Sequence, residues 1–354
     1  MESLIERIER QNYIIIAEIG VNYYDIARQR GISNMEAAKL MCHEAFMAGA
    51  DAVKFQTYKA GKIASKYSPS YWDTKEETTT SQYELFKKYD AFGEQEYREL
   101  SEYCNSIGVC FLSTPFDFES ADYLNDMMEA YKISSSDITN IPFIEYIAKK
   151  NKPILLSTGA ANRAEIQRAY EVIRKNGNWL ALLHCVLEYP TPYEDANLGR
   201  IVALKNEFPD VVVGYSDHTK PSDSQIVITS AYGLGAQVIE KHFTLDKKLS
   251  GNDHYHAMDV DDLKKIKREL ELYKVLIGTS ELEYLDTESA ARKNARRSIV
   301  ANRDIKEGQV ILEEDICFKR PGVGIEPSEY KKVIGMKAKR DIIEDTILQW
   351  EDFE

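Results

Sequence analysis

Two histidines, His218 in GYSDHT and His242 in VIEKHFT, each stand where a short β-branched apolar run gives way to polar residues. Adjacent strands ending this way would bring both imidazoles to one rim, with Asp217 and Glu240 beside them. Imidazole is the usual ligand of borderline divalent ions and carboxylates suit Mn²⁺ or Mg²⁺, so the pair reads as a metal or acid-base site. Either histidine alone could equally be satisfied by backbone groups. Two lysines, Lys54 in DAVKFQT and Lys132 in AYKISSS, occupy the same kind of position. A strand-end lysine can anchor an anion, form a Schiff base or pair with a carboxylate such as Glu18. Thr114, Ser135, Ser157 and Ser216 favour the anion, because hydroxyls add hydrogen bonds to a phosphate or carboxylate without adding charge. Taken singly, each could instead cap a helix.

Elements that deliver these residues to one rim are visible as apolar runs of strand length alternating with amphipathic stretches. The runs are YIIIAEIG from Tyr13, DAVKFQT from Asp51, CFLSTPF from Cys110, AYKISSS from Ala130, PILLSTG from Pro153, LALLHCV from Leu180, VVVGYSDHT from Val211 and QVIEKHFT from Gln237. Between them, NMEAAKLMCHEAFMAG places Ala38, Met41, Cys42, Ala45 and Phe46 on one helix face, and RAEIQRAYEVIRKNG closes at Gly177. Eight strand-helix units predict an α/β fold, a (β/α)₈ TIM barrel, whose catalytic face gathers the C-terminal strand ends. The turn after the first strand, GVNYYD, lacks the GxGxxG of a dinucleotide-binding sheet.

We read residues 1–278 as the barrel, 279–295 as a polar linker and 296–354 as a small β-rich module punctuated by Gly and Pro. The stretch from Tyr58 to Phe92, long for a βα loop and rich in Tyr, Thr and Ser, is expected to form a lid or rim excursion. A net charge of −13 argues against a nucleic-acid surface. The apolar run after the charged lead MESLIERIERQ is too short for a signal segment or membrane span. Five scattered cysteines, none in a CxxC spacing, fit reduced thiols in a cytoplasmic protein.

The ordered set AEIGVN, VKFQT, FLSTPFD, YKIS, PILLSTG, LHC with YPTPYEDANL, VVGYSDHT and VIEKHFTLD is similar to the sialic acid (nonulosonic acid) synthase family. The tail with FKRPGVGI resembles that family's C-terminal antifreeze-like (SAF) domain. The resemblance implies condensation of phosphoenolpyruvate with the open-chain aldehyde of an N-acylated mannosamine-type sugar, giving a nine-carbon 2-keto acid and phosphate. It implies that His218 and His242 hold a divalent metal, commonly Mn²⁺, with Mg²⁺ or Co²⁺ as alternatives. Lys54, Thr114 and Lys132 match contacts to the phosphoenolpyruvate carboxylate, and Ser135, Ser157 and Ser216 match phosphate contacts. Glu18 matches an acid near the reacting carbons, and Asp137 falls at a proposed acid-base position. Gln56, Tyr189, His242 and Asp253 match sugar contacts, and Arg320 matches an arginine that a domain-swapped homodimer inserts into the other subunit's site.

Several positions depart from the family pattern. Asp137 replaces a Glu, Leu187 stands where a Ser or Asn commonly helps hold phosphate, and Tyr23, Tyr24 and Asp25 replace a His-x-Gly. The family's GPDH reads Gly251, Asn252, Asp253, His254, and the following YHAMD adds His256. These departures suggest an acceptor other than plain N-acetylmannosamine. Two other functions compete: a Schiff-base aldolase using Lys132, and a non-catalytic carbohydrate- or ice-binding protein whose tail is the working part. The charged tail, with Lys306, Glu307, Glu313, Glu314 and Asp315, argues against a flat ice-binding face.

Overall fold

The computed structural model describes residues 2–72, 77–251 and 253–354, so Asn252 lies outside the described residues. The chain divides into two compact units, Met1–Ile277 and Gly278–Glu354.

The first unit is built on eight parallel strands: β1 Ile14–Gly20, β2 Ala52–Thr57, β3 Cys110–Pro115, β4 Tyr131–Ile133, β5 Ile154–Ser157, β6 Leu180–His184, β7 Val212–Asp217 and β8 Val238–His242. Their order is β3-β2-β1-β8-β7-β6-β5-β4, with β3 packed beside β4, so the sheet closes on itself as a TIM barrel. Nearly every strand residue is buried, as expected where helices cover the outer face and side chains fill the interior. The helices behave as their sequences suggest. Asn34–Met47 turns Ala38, Met41, Cys42 and Ala45 inward, while Phe46 is only half-buried. Arg163–Lys175 starts in an Asn162/Glu165 capping box and gives way to Gly177 at φ 81°, a conformation glycine adopts without strain.

Register decides what meets inside the barrel. Glu18 stands beside Lys54 on one side and His242 on the other, Gln56 beside Thr114, and Ser216 beside Glu240. Because side chains alternate between the faces of a strand, Glu240 and His242 share a face and Lys241 takes the other.

Two elements differ from the sequence reading. The charged lead forms a helix, Leu4–Gln11, with a Ser3/Glu6 capping box, and Leu4 and Ile8 bury against Ile14, Leu155 and Trp179 around the strand starts. The turn after β1 runs into a helix, Tyr23–Arg30, whose Tyr23 stacks on Phe92. Among the described residues no helix is long and apolar enough to cross a membrane.

The second unit has its own core, including Ile299, Ile305, Ile311, Val333, Leu348 and Phe353. It carries an antiparallel pair, β9 Ser298–Ala301 and β10 Ile316–Lys319. The interval expected as linker contains an exposed helix, Ser289–Ala295. Arg320 follows β10 directly and is exposed.

Candidate active site

At the C-terminal end of the barrel four charged side chains meet in the floor of a cleft. Lys54 Nζ lies 2.5 Å from Glu18 Oε2 and 3.8 Å from Glu240 Oε1, and Lys132 Nζ lies 3.8 Å from the same Glu240 oxygen. All four are buried, with both lysines 3% exposed. Hydroxyls surround them: Lys54 donates to Thr114 Oγ1 at 2.9 Å, Lys132 to Ser157 Oγ at 2.7 Å, and Ser216 to Glu240 Oε1 at 3.2 Å. Ser135 reaches Cys185 Sγ at 3.5 Å. A Cβ on Gly159 would stand 2.7 Å from Cys185 Sγ and 3.0 Å from Ser135 Oγ, so only glycine fits the close approach of this loop to the cradle.

The two carboxylates differ in electrostatics. Burial, Lys54's opposing pull and the charge of Glu240 together leave Glu18 raised, to about 7. Burial also pushes Glu240 upward, but Lys132 and Lys54 outweigh it and hold the carboxyl below its usual range. Two acids pushed apart in this way divide into one that keeps its charge and one able to exchange a proton near neutrality. Burial lowers Lys132 against the attraction of Glu240, whereas Lys54, with two carboxylates close by, stays above its usual value despite burial.

His218 and His242 rise above this floor with ring centres 5.6 Å apart. His218 Nδ1 lies 2.7 Å from the Val186 carbonyl, which fixes that nitrogen as the donor and leaves Nε2 for a ligand. His242 Nδ1 is buried without a hydrogen-bond partner among the described residues, and sits 3.9 Å from Asp253 Oδ2. Burial holds His218 down at about 4, and burial with the neighbouring His256 and His218 pushes His242 well below the usual imidazole range, so both rings are neutral, the form that binds a cation. His242, Asp253 and His256 form a group able to hold a divalent ion.

Above lies a second cavity of about 740 Å³, open to solvent, against about 400 Å³ for the charged floor. The two share Gln56, Tyr189 and His242. Gln56 donates to Glu18 Oε1 at 3.0 Å, and the Tyr189 ring packs 4.3 Å from that of His218. Asp253 lines the upper cavity, its loop held by Asn22, which donates to the Phe243 and Asp253 carbonyls. Burial raises Asp253 to about 6. The excursion after β2 supplies the wall through Tyr58, Tyr71, Trp72, Leu85, Phe86 and Tyr89.

Glu18, Lys54, Gln56, Thr114, Lys132, Ser135, Ser157, Tyr189, Ser216, His218 and His242 therefore converge on the lower chamber. Asp137 does not: it sits in the one-turn helix Ser135–Asp137, half-buried, accepts from Asn140 Nδ2 at 3.0 Å and lines neither cavity. Asp217 also turns away from the histidines. It pairs with Lys241 at 2.6 Å, because both take the opposite face of β7 and β8 from Ser216 and Glu240. His184 is likewise a structural group, its Nε2 2.8 Å from the Ala196 carbonyl. Asp25, which departs from the family pattern, lies 3.2 Å from His254 Nε2, and Thr244 Oγ1 lies 2.8 Å from the other ring nitrogen. Sequence reasoning did not single out Cys185, Asn22 or the aromatic wall; the tyrosine-rich composition of the excursion was the only signal for the last.

Residues 41–281 match the NeuB family and residues 296–354 the SAF domain. An N,N'-diacetyllegionaminic acid synthase of Legionella pneumophila is 38% identical over 348 residues, covering 96% of this chain and 94% of that protein. A pseudaminic acid synthase of Campylobacter jejuni is 32% identical over 348 residues, 96% of each. Among solved structures, the sialic acid synthetase of Leptospira borgpetersenii is 32% identical with a TM-score of 0.68, across 79% of this chain and 90% of that one. The family models cover most of the barrel and the whole C-terminal module, and the chain belongs to the NeuB family, with a SAF domain as its second unit.

Proposed function

We propose that the protein is a nonulosonic acid synthase that joins C3 of phosphoenolpyruvate to the aldehyde carbon of an N-acylated amino sugar. Water adds at C2, the C2–O bond to phosphate breaks, and a nine-carbon 2-keto acid and phosphate leave. The observation that carries the reading is the charge-balanced floor of Lys54, Glu18, Glu240 and Lys132 beneath two neutral imidazoles.

Lys54, Thr114 and Lys132 take the carboxylate of phosphoenolpyruvate, and Ser135, Ser157 and Ser216 its phosphate, through charge-assisted and hydroxyl hydrogen bonds. Glu18, raised towards neutrality, orients the water at C2 and accepts its proton. Gln56, Tyr189 and Asp253 position the sugar against the aromatic wall. His218 and His242 hold a divalent cation, for which the family resemblance points to Mn²⁺, and which when bound polarises the aldehyde oxygen. Asp137 has no role in this scheme. Arg320, exposed on the SAF domain, is assigned to the sugar of the other subunit in a swapped homodimer. The five free cysteines suit a cytoplasmic location.

The acceptor is best sought among 2,4-diacetamido-trideoxyhexoses, given the 38% identity to the Legionella enzyme and the departure from the family pattern at Asp25, which lines the upper cavity. Phosphate release from phosphoenolpyruvate, measured with N-acetylmannosamine, its 6-phosphate and these diacetamido sugars, tests the proposal. Inactivity with every sugar would overturn it. The depressed Lys132 also permits a Schiff base. Borohydride reduction in the presence of pyruvate separates the two, since the synthase leaves no adduct on Lys132.

A further inference from the structure

His256 has no part in the scheme above, yet it is 0% exposed and neither ring nitrogen has a hydrogen-bond partner among the described residues. Leaving a buried polar group unpaired is costly. Two unpaired nitrogens on one buried ring call for a partner. The backbone of His256 is anchored nearby. The segment carrying it returns along β8, where Met258 donates to the His242 carbonyl at 2.8 Å and Thr244 to the Met258 carbonyl at 3.0 Å.

What surrounds the ring is a set of cation ligands. His256 Nε2 is 4.0 Å from Asp253 Oδ1, and the other oxygen of that carboxylate is 3.9 Å from the unpartnered His242 Nδ1. One ligand atom from each of His242, Asp253 and His256 lies within 4.8 Å of the others. The ring centres of His242 and His256 are 5.1 Å apart, those of His218 and His242 5.6 Å, and those of His218 and His256 6.5 Å. With bonds of ~2.0–2.1 Å, two imidazoles on one ion have centres roughly 5.2 Å apart at the tetrahedral angle and roughly 6.4 Å apart when opposite. The first two separations match that geometry, whereas His218 and His256 stand too far apart to meet one ion together with His242 as placed.

We infer that His256 is a further imidazole of the metal centre, holding the ion with His242 and the Asp253 carboxylate. This rests on the assignment of His218 and His242 as metal ligands. Adding a nitrogen donor strengthens binding of Co²⁺ and Zn²⁺ far more than that of the oxygen-preferring Mn²⁺ and Mg²⁺. His256 is therefore the residue that sets ion preference in this chain.

The test is equilibrium binding of Zn²⁺, Co²⁺ and Mn²⁺ to the chelator-stripped full-length protein without substrates, by competition with a chromophoric chelator. His256→Ala should weaken Co²⁺ and Zn²⁺ by at least about 100-fold, more than loss of an indirect support of a ligand, and Mn²⁺ by less than about 10-fold. His256→Cys should restore Zn²⁺ binding and give the Co²⁺ form a sulfur charge-transfer band, which a folding defect cannot produce. His218→Ala belongs in the same titration. If it loses Co²⁺ while His256→Ala binds as wild type does, the two-histidine centre stands and the further imidazole is refuted. If both variants bind as wild type does, the centre itself is misassigned. Wild-type metal affinity in His256→Ala with a raised sugar KM would make His256 a sugar contact and refute the inference too.

Discussion

Replacing Lys54 by Met removes one charge from a buried quartet that sums to zero. Glu18, 2.5 Å away, and Glu240, 3.8 Å away, are then left with Lys132 alone. Breaking a buried pair by deleting one partner costs about 3–5 kcal/mol. Here Glu18 already sits at about 7, and without the pull of Lys54 it takes up a proton instead of remaining an unpaired charge. The cost should therefore fall near the lower end, about 3 kcal/mol, which for a unit of this size lowers Tm by roughly 6–12 °C. Adding Glu18→Gln removes the surplus carboxylate while keeping an acceptor for Gln56, so Lys54→Met with Glu18→Gln should regain more than half of that loss. Binding of phosphoenolpyruvate should behave differently. A charge-assisted hydrogen bond to the carboxylate is worth about 1.5–3 kcal/mol, so affinity should drop about 10- to 150-fold in both the single and the double variant. Calorimetric titration reads this without turnover, which matters because Glu18 is itself assigned to the chemistry. A double variant that recovers both stability and phosphoenolpyruvate affinity would show that Lys54 serves the ion pair alone, and the anion-anchor reasoning would fail.

Gly159→Ala should displace Ser135 and Cys185, because the new Cβ meets their tips at 3.0 and 2.7 Å. A raised KM for phosphoenolpyruvate with the sugar KM unchanged is expected, and the reverse pattern would remove Ser135 from the phosphate cradle. Arg320→Ala should raise the sugar KM, and mixing it with His218→Ala subunits should restore part of the activity, since some hybrid dimers hold one intact site. Demonstrated hybrids without activity would contradict the swap. Ellman titration of the native protein near pH 8 should find one fast thiol, the half-buried Cys317, against five after denaturation. Cys42, Cys110 and Cys185 are all raised by burial, which starves them of thiolate, so rapid reaction at more than one site would contradict the packing.

The barrel was legible because its strands are buried on both faces and therefore appear as apolar runs, each ending in the residues that form the rim. Lys54, Lys132, His218 and His242 could be placed by that rule alone. The same alternation shows why Asp217 was misplaced: it pairs across the ladder with Lys241, on the face opposite Ser216 and Glu240. Counting in steps of two from His242 would have excluded it. Asp137 was assigned from family position, but the chain has already left the strand at Ile133 and turned into a short helix there, so strand periodicity no longer governs its direction. The helix Leu4–Gln11 was hidden by its charge, with only Leu4 and Ile8 buried, although Ser3 and Glu6 carried a capping-box signature.

The two chambers were unequally legible for a structural reason that also bears on specificity. The lower chamber is made almost wholly of strand ends, whose directions follow from a period of two, and it holds the groups assigned to phosphoenolpyruvate. The upper chamber is walled by Tyr58, Tyr71, Trp72, Leu85, Phe86 and Tyr89 from the excursion after β2, and by Asp253 from the loop after β8. No period orders such segments. Their side chains are placed by tertiary contacts, such as the bonds from Asn22 that hold the Asp253 loop and the Tyr58 ring packed 5.1 Å from Phe86. Loops can change without disturbing the barrel. On the proposed assignment the constant acid is held by the rigid part and a variable sugar by the adaptable part, and Asp25, one of the departures from the family pattern, lines the upper cavity. An exchange of the excursion and the loop around Asp253 between this chain and a relative should therefore move sugar preference while leaving phosphoenolpyruvate affinity where it was.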